Sequence, residues 1–323
     1  MALALILVFT VTRVIFVPQG EFVTYGALTL VMMQQGYVPG IVLFLVVAGG
    51  IAAAMELWSS IGSPRRNRHL AVAAFYVFYP IALALLLYRV IGAPTNLAAQ
   101  IAVTLAIIVP LGPILYRVVF QPMANATVLV LLIGAVALHL LLMGVGLLAF
   151  GPEGGRTSPL IQASVTIGTM TVTAQSLVTL GTSVVLIAVL FWAFKHTLRG
   201  KALRATAVNS VGARLVGVRP ETAGAICFTL AALVGAVSGI LISSITTIYF
   251  DTGLLIALKG FIGAIIGALA SYPLGALGAI LVGMIESFSS FWASAFKEAL
   301  LFGFIIPILV WLSITHPQSD ESE

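Results

Sequence analysis

Val128–Phe150 is a 23-residue stretch without one Asp, Glu, Lys or Arg. An α-helix needs about 20 apolar residues to cross the hydrocarbon core of a bilayer. Leu177–Phe194 and Glu221–Thr246 are further runs of that length. Backbone groups inside lipid must be satisfied within the segment, so these runs are expected to be helices; the two-residue alternation of a membrane barrel is absent. Composition agrees. The 323 residues are 61% hydrophobic and 8% charged, against about 45–50% and about 25% for a soluble domain. The expected fold is all-α, a polytopic transmembrane bundle of roughly 9–11 membrane helices, some short or discontinuous, forming a single domain over residues 1–323.

The pattern places helices near 2–17, 22–35, 39–58, 70–91, 97–119, 128–150, 177–196, 221–246, 253–270, 274–292 and 297–314. Met1–Phe16 is apolar from its first residue, with neither a basic leading region nor a small-residue cleavage site, so it reads as a retained helix, slightly short for a span. The ninth and tenth helices are rich in Gly and Ala, which suits close packing or a broken, partly re-entrant pair. Basic residues mark the cytoplasmic side. Counting spans from "SPRRNRH" (Ser63–His69) brings Arg117 and Lys195–Arg219 to that same side. It puts the long loop "GPEGGRTSPLIQASVTIGTMTVTAQ" and Met1 outside, and the tail "HPQSDESE" inside. The net charge of +5 therefore speaks for orientation, not for nucleic acid.

Soluble-enzyme chemistry finds no foothold. No GxxxxGK[ST] loop cradles phosphate, and no GxSxG presents a nucleophile. Histidines 69, 139, 196 and 316 are too dispersed for a metal motif, and the lone Cys227 sits in an apolar run as a small buried hydrophobe. No catalytic and no metal-binding residue is expected.

Ionisable groups within spans are functional candidates because each costs roughly 2.5–3.5 kcal/mol to insert. Arg13, Glu21, Glu56, Arg89, His139, Lys259 and Glu286 qualify. Glu56 and Arg89 lie near span ends and read as snorkelling side chains. His139, mid-span, reads either as a packed His bonded to neighbouring backbone or hydroxyls, or as a pathway residue. Lys259 and Glu286 occupy the two Gly-rich helices and can pair across them.

Two stretches stand apart. In "TRVIFVPQGEFVTYGAL" (Thr12–Leu28), Pro18 and Gly20 interrupt a helix, and Glu21 falls in the first turn of the next, where the helix dipole favours a carboxylate. A tight turn and a discontinuous helix lining a polar cavity both fit. In "LRGKALRATAVNSVGARLVGV" (Leu198–Val218), Lys195, Arg199, Lys201, Arg204, Arg214 and Arg219 surround a segment of Ala, Gly, Thr and Ser. The expected structure is a short helix over "KALRATAVNS", a turn at Gly212, then "ARLVGV". Its residues are too small to bind a membrane strongly, but they let another backbone approach, which favours docking into a protein groove.

"LRGKALRATAVNSVGARLVGVRPETAGAICFTLAALVGAVSGIL" resembles the cytoplasmic coupling segment and following helix of LivH-type permeases, membrane subunits of bacterial branched-chain amino-acid ABC importers. "RVIFVPQGEFVTYGAL", "LYRVVFQPM", "FGPEGG" and "GFIGAIIGALASYPLGALGAILVGMIESF" are similar to that family in the same order. The resemblance implies a multi-pass inner-membrane transport subunit with no catalysis and no cofactor of its own. ATP and Mg would belong to two cytoplasmic ABC ATPases; a second, LivM-like permease and a periplasmic binding protein would complete the importer. It assigns Arg199, Gly200, Ala202, Arg204, Ala205, Ala207, Asn209 and Gly217 as ATPase contacts in a coupling loop over 195–220. Gln19, Gly20, Glu21, His139, Lys259 and Glu286 are the candidate translocation path. Related permeases move urea, amides or other amino acids, and an ion-coupled secondary transporter using Glu286 and His139 is the alternative of another class. The sequence departs from the family in three places. An apolar helix usual before the Arg-Val segment is not seen ahead of it here, Phe16 stands where Asn is common, and about 40 residues around Ser59–Thr95 look inserted.

Overall fold

The computed structural model describes residues 1–61, 66–90, 96–161, 163–167, 170–267, 269 and 271–315. The expected inward tail and Arg65 lie outside them. The helices are α1 (Ala2–Thr12), α2 (Gln19–Gln34), α3 (Ile41–Ser60), α4 (Arg66–Val90), α5 (Leu97–Ile108), α6 (Leu111–Leu115), α7 (Val128–Phe150), α8 (Ala174–His196), α9 (Leu198–Val208), α10 (Ser210–Leu215), α11 (Pro220–Ile242), α12 (Thr252–Ile266), α13 (Tyr272–Trp292), α14 (Lys297–Gly303) and α15 (Ile305–Thr315). A π-helical turn, Tyr116–Phe120, continues α6, and β1 (Ser164–Ile167) pairs antiparallel with β2 (Met170–Thr173). Among the described residues, eight helical stretches are long and apolar enough to cross a membrane, and α1 and α12 are shorter apolar helices. The polytopic all-α bundle is as expected. The small hairpin is not; its Thr and Val residues fit a strand better than a loop.

At the centre stand α2 and α11. Every residue of α2 except Met32 and Gln34 is buried, and α11 packs along it through Gly26, Gly235 and Gly239, which bring the two backbones close. In lipid, helices gain little from hiding apolar surface and associate where small residues allow close approach. The same logic joins α12 to α13, where Gly263 faces Ala279 and Gly278 faces Ile266. The two helices are closely packed, as one of the two readings has it, and α12, at 15 residues, is shorter than a full span. By contrast only Gln175 and Phe194 of α8 are buried, so this helix stands at the rim.

The ends of the bundle agree with the span count. Arg68, His69, Arg117 and Arg219 line one cavity at one end. At the other, Gly155 bridges Ile248, Arg156 donates to the Ser244 carbonyl at 2.9–3.0 Å, and Ser158 N–H donates to Gln34. The loop after α7, the end of α2 and the loop after α11 thus meet opposite the basic end.

Two expectations fail at the first helix. It ends at Thr12, because Arg13 takes a left-handed conformation (φ 59) and reverses the chain. Residues 13–18 then run back without helix to Pro18, the N-cap of α2. Met1, expected outside, lies in the interior, its sulfur 3.9 Å from Gln19 Nε2 and its side chain against Gly260.

Candidate translocation and coupling sites

The break before α2 is buried. Phe16 is fully enclosed, with ring centroids 4.7 Å from Phe228 and 5.7 Å from both Phe22 and Phe120. The residue that departs from the family pattern is therefore an anchor of the aromatic core, not a lining side chain. Beyond it α2 starts inside the bundle, as a discontinuous helix would, with its first turn closely packed: Gln19 Nε2 donates to the Ala231 carbonyl midway along α11 at 2.9 Å. Glu21, with no exposed surface, lies 3.0 Å from His139 Nδ1 of α7, itself 4% exposed. The separation is that of an ion pair, though the two groups are not aligned as a hydrogen bond, and both Glu21 oxygens, Gln19 Oε1 and Thr24 Oγ1 lack hydrogen-bond partners. A packed His bonded to neighbouring backbone or hydroxyls is not what the structure contains. His139 faces a carboxylate, and each group offsets the other's desolvation.

Gly20 is required by the packing. A methyl group there would overlap the carbonyl of Gly253 on α12, and one on Gly253 would fall 2.7 Å from Glu21 Oε1. The three helices α2, α7 and α12 thus converge on Glu21.

Lys259 and Glu286, which the sequence allows to pair, do so, Nζ to Oε1 at 2.5 Å, with Glu298 of α14 at 3.7 Å. This cluster sits apart from Glu21 and is partly exposed, so the six candidate path residues form two groups. The snorkelling expectation for Glu56 fails. It is buried and held between Arg117 Nη2 at 2.6 Å and His69 Nδ1 at 2.7 Å. Arg89 is exposed at the end of α4, as expected. Among the described residues no group of three or more His, Cys, Asp or Glu is placed to hold a metal ion.

The candidate coupling loop folds as two capped helices. Thr197 caps α9, its hydroxyl accepting from Gly200 N–H at 3.0 Å; Asn209 caps α10, its side chain accepting from Gly212 N–H at 2.8 Å. The turn is consequently at Asn209 and not at Gly212, which is helical: an N-cap side chain that satisfies an otherwise orphan donor decides the boundary. Of the residues assigned as contacts, Arg199, Ala205 and Asn209 are exposed, Ala202 and Ala207 are half-buried, and Gly200 is buried against the backbone of Ala193 and Phe194. Gly217 supplies the left-handed turn (φ 87) that ends α10. Arg204 is exposed beside the bundle. With Lys195 it lines a 570 Å³ groove between α8 and α13, and with Arg13 and Ala207 an adjoining cavity. Leu203 and Ala213 anchor the pair inward.

What the sequence pattern hides is on the outer face of this loop. Leu198, Val208, Val211, Leu215 and Val216 are exposed, Val208 by 86% and Leu215 by 85%. Val208, Val211 and Leu215 are spaced three and four apart, as one helical face would be, but the cap at Asn209 divides them between α9 and α10, and small and basic residues surround them.

Residues 65–309 match the family described as branched-chain amino acid transport system / permease component. The chain belongs to that family. It is 24% identical over 243 residues to the high-affinity branched-chain amino acid transport system permease protein LivH of Escherichia coli K12, covering 73% of this chain and 79% of that protein. LivH of Salmonella typhimurium is equally similar over the same span. The permease BraD of Pseudomonas aeruginosa is 24% identical over 226 residues, 68% of this chain and 73% of that one. No solved structure matches. A LivH-type permease with eight helices of membrane-crossing length is a multi-pass protein of the bacterial inner membrane.

Proposed function

We propose that this LivH-type permease is the membrane-spanning subunit of an ATP-driven importer, and that it carries branched-chain or related amino acids handed over by a periplasmic binding protein. A second, LivM-like permease completes the pathway, and two cytoplasmic ATPases drive it. The observation that carries this is the α9–α10 pair: short capped helices at the basic end, presenting Val208, Val211 and Leu215 to solvent in a segment similar to the family's coupling region. Exposed apolar side chains ringed by cations are what a protein groove with an acidic rim would accept. Glu21 and His139 are assigned to the path, where the re-entering chain and the unpaired polar atoms around it leave groups for a polar solute or water to bond.

The test is reconstitution of the permeases, ATPases and binding protein in proteoliposomes. Uptake of leucine, isoleucine or valine should require internal ATP and the binding protein. Binding of urea, an amide or another amino acid to that partner would redirect the cargo within the same machinery. The buried Glu21–His139 pair also fits an ion-coupled carrier. Uptake that survives ATP depletion and collapses with an uncoupler would establish that alternative.

A further inference from the structure

The cluster around Glu56 has no part in the proposed path or in the docking surface, yet it sits at the same end as α9 and α10. Three elements build it. Glu56 comes from the last turns of α3, His69 from the first turn of α4, and Arg117 from the π-helical turn Tyr116–Phe120. The Glu56 carboxylate is shared: Arg117 Nη2 stands 2.6 Å from Oε2, His69 Nδ1 stands 2.7 Å from Oε1, and Arg117 Nη2 also donates to Ser59 Oγ at 3.0 Å. A π turn is rare and is kept mostly where function needs it. Here it is pinned by one charged side chain.

Across from this cluster is the start of α11. A 320 Å³ cavity separates the two, with Glu56, His69 and Arg117 on one wall and Arg219, Glu221 and Thr222 on the other. Beside the cavity the π turn and α11 are in contact: the rings of Tyr116 and Phe120 lie 5.1 and 5.3 Å from that of Phe228. Gly224 lies against the Tyr116 ring so closely that a methyl group on it would overlap the phenol. Tyr116 is the residue before Arg117. On the α11 wall, Glu221 lies 3.1 Å from Arg214 of α10. A displacement of α10 therefore reaches α11 directly, and α11 bears on the π turn through Tyr116.

We propose that Glu56 is a positioning residue for energy coupling. Held between Arg117 and His69, it anchors the π turn against which α11 bears, so that movement of α9 and α10 is delivered to the bundle instead of being absorbed by local rearrangement of that turn. The α3–α4 hairpin, which includes much of the segment that looks inserted, thereby gains a role, since its His69 supplies the second clamp. The inference rests on the proposed ATPase docking at α9–α10.

The experiment measures ATP hydrolysed per solute imported by the complete importer in proteoliposomes, with ATPase co-purification beside it. Glu56→Gln and His69→Ala should leave the complex assembled and raise ATP consumed per solute several-fold, with Glu56→Gln the stronger. Glu56→Asp should recover part of the loss. His69 is at the rim of the cluster, so His69→Ala keeps the test open should Glu56→Gln fail to insert. An unchanged ratio in assembled His69→Ala and Glu56→Gln importers overturns the proposal. So does a parallel loss of transport and hydrolysis at constant ratio, which marks a purely structural role. If the unmodified permease recruits no ATPase, it is the docking reading that has failed, and the two failures are told apart.

Discussion

The chain breaks its apolar pattern in two regions, the turn into α2 and the α9–α10 loop, and the two are opposite in kind. At the first, polar groups are buried: Gln19, Glu21 and Thr24 have no exposed surface, inside a bundle of apolar helices. At the second, apolar groups are exposed: Val208, Val211 and Leu215 stand in solvent on a loop rich in Arg and Lys. Each is costly in isolation, the first through lost hydration, the second through apolar surface held in water. The first finds part of its compensation within the chain, in His139 and the α11 backbone, and keeps unpaired oxygens on Gln19, Glu21 and Thr24. The second has no apolar cover among the described residues, and under the proposed function another chain supplies it. One region is thus defined by what it packs against and the other by what it lacks.

Breaking the first region should have the largest effect. Glu21→Ala leaves His139 buried beside an empty site, and removing one partner of a buried pair costs about 3–5 kcal/mol. Unfolding in detergent should register that loss. The double variant Glu21→Leu/His139→Leu strands no charge and should recover most of it. Equal losses in the single and double variants would mean the two groups do not compensate each other, and the contrast between the regions would fail. Gly20→Ala comes next. The added methyl meets the Gly253 carbonyl, and overpacking of this kind costs about 1–3 kcal/mol. Insertion yield and unfolding midpoint should both fall. Gly253→Ala, which presses on Glu21 instead, should lower transport as well as stability.

Much of the first region is legible in the sequence, because charge in lipid is expensive and Pro18–Gly20 advertises a broken helix. The partner is not legible. Glu21 and His139 are far apart in sequence, and nothing in "GAVALHLLLMG" says which helix its histidine faces. Glu56 misleads for the same reason: near a span end, snorkelling and burial look alike until Arg117 and His69 are located. The extent of α1 escapes the pattern because apolar residues continue past Thr12, while the backbone reverses at Arg13. In the second region the basic charge and small residues are plain, and the exposed valines and leucines are not. Tertiary packing decides which apolar side chains of a short helix turn inward, and Leu203 and Leu215 are indistinguishable by type.

For the second region, substitutions should spare the fold. Leu215→Ser and Val208→Ser remove exposed side chains, so stability should hold within about 0.5 kcal/mol. A truncated interface anchor costs more than about 1 kcal/mol of binding, so ATPase association should weaken by roughly five-fold or more. Association at the unmodified level would sever the link between exposure and docking.

The smallest effect belongs to Arg214→Ala. The Arg214–Glu221 pair joins α10 to α11 at 3.1 Å, with the two side chains 58% and 45% exposed. Exposed pairs of this kind contribute about 0–1 kcal/mol, because water screens the attraction and two long side chains lose freedom. Unfolding of the isolated permease should therefore barely register the change. The informative comparison is with Glu21→Ala under the same conditions. If Arg214→Ala approached that loss, the α9–α10 segment would be held as firmly from within the chain as the break at α2 is. Its exposed apolar face would then be one surface of a rigid, self-sufficient element. A negligible loss instead leaves the packing of Leu203 on Ala223 and Cys227, and the short connection into Pro220, to carry movement of the segment into α11 while its outer face stays open to an outside partner.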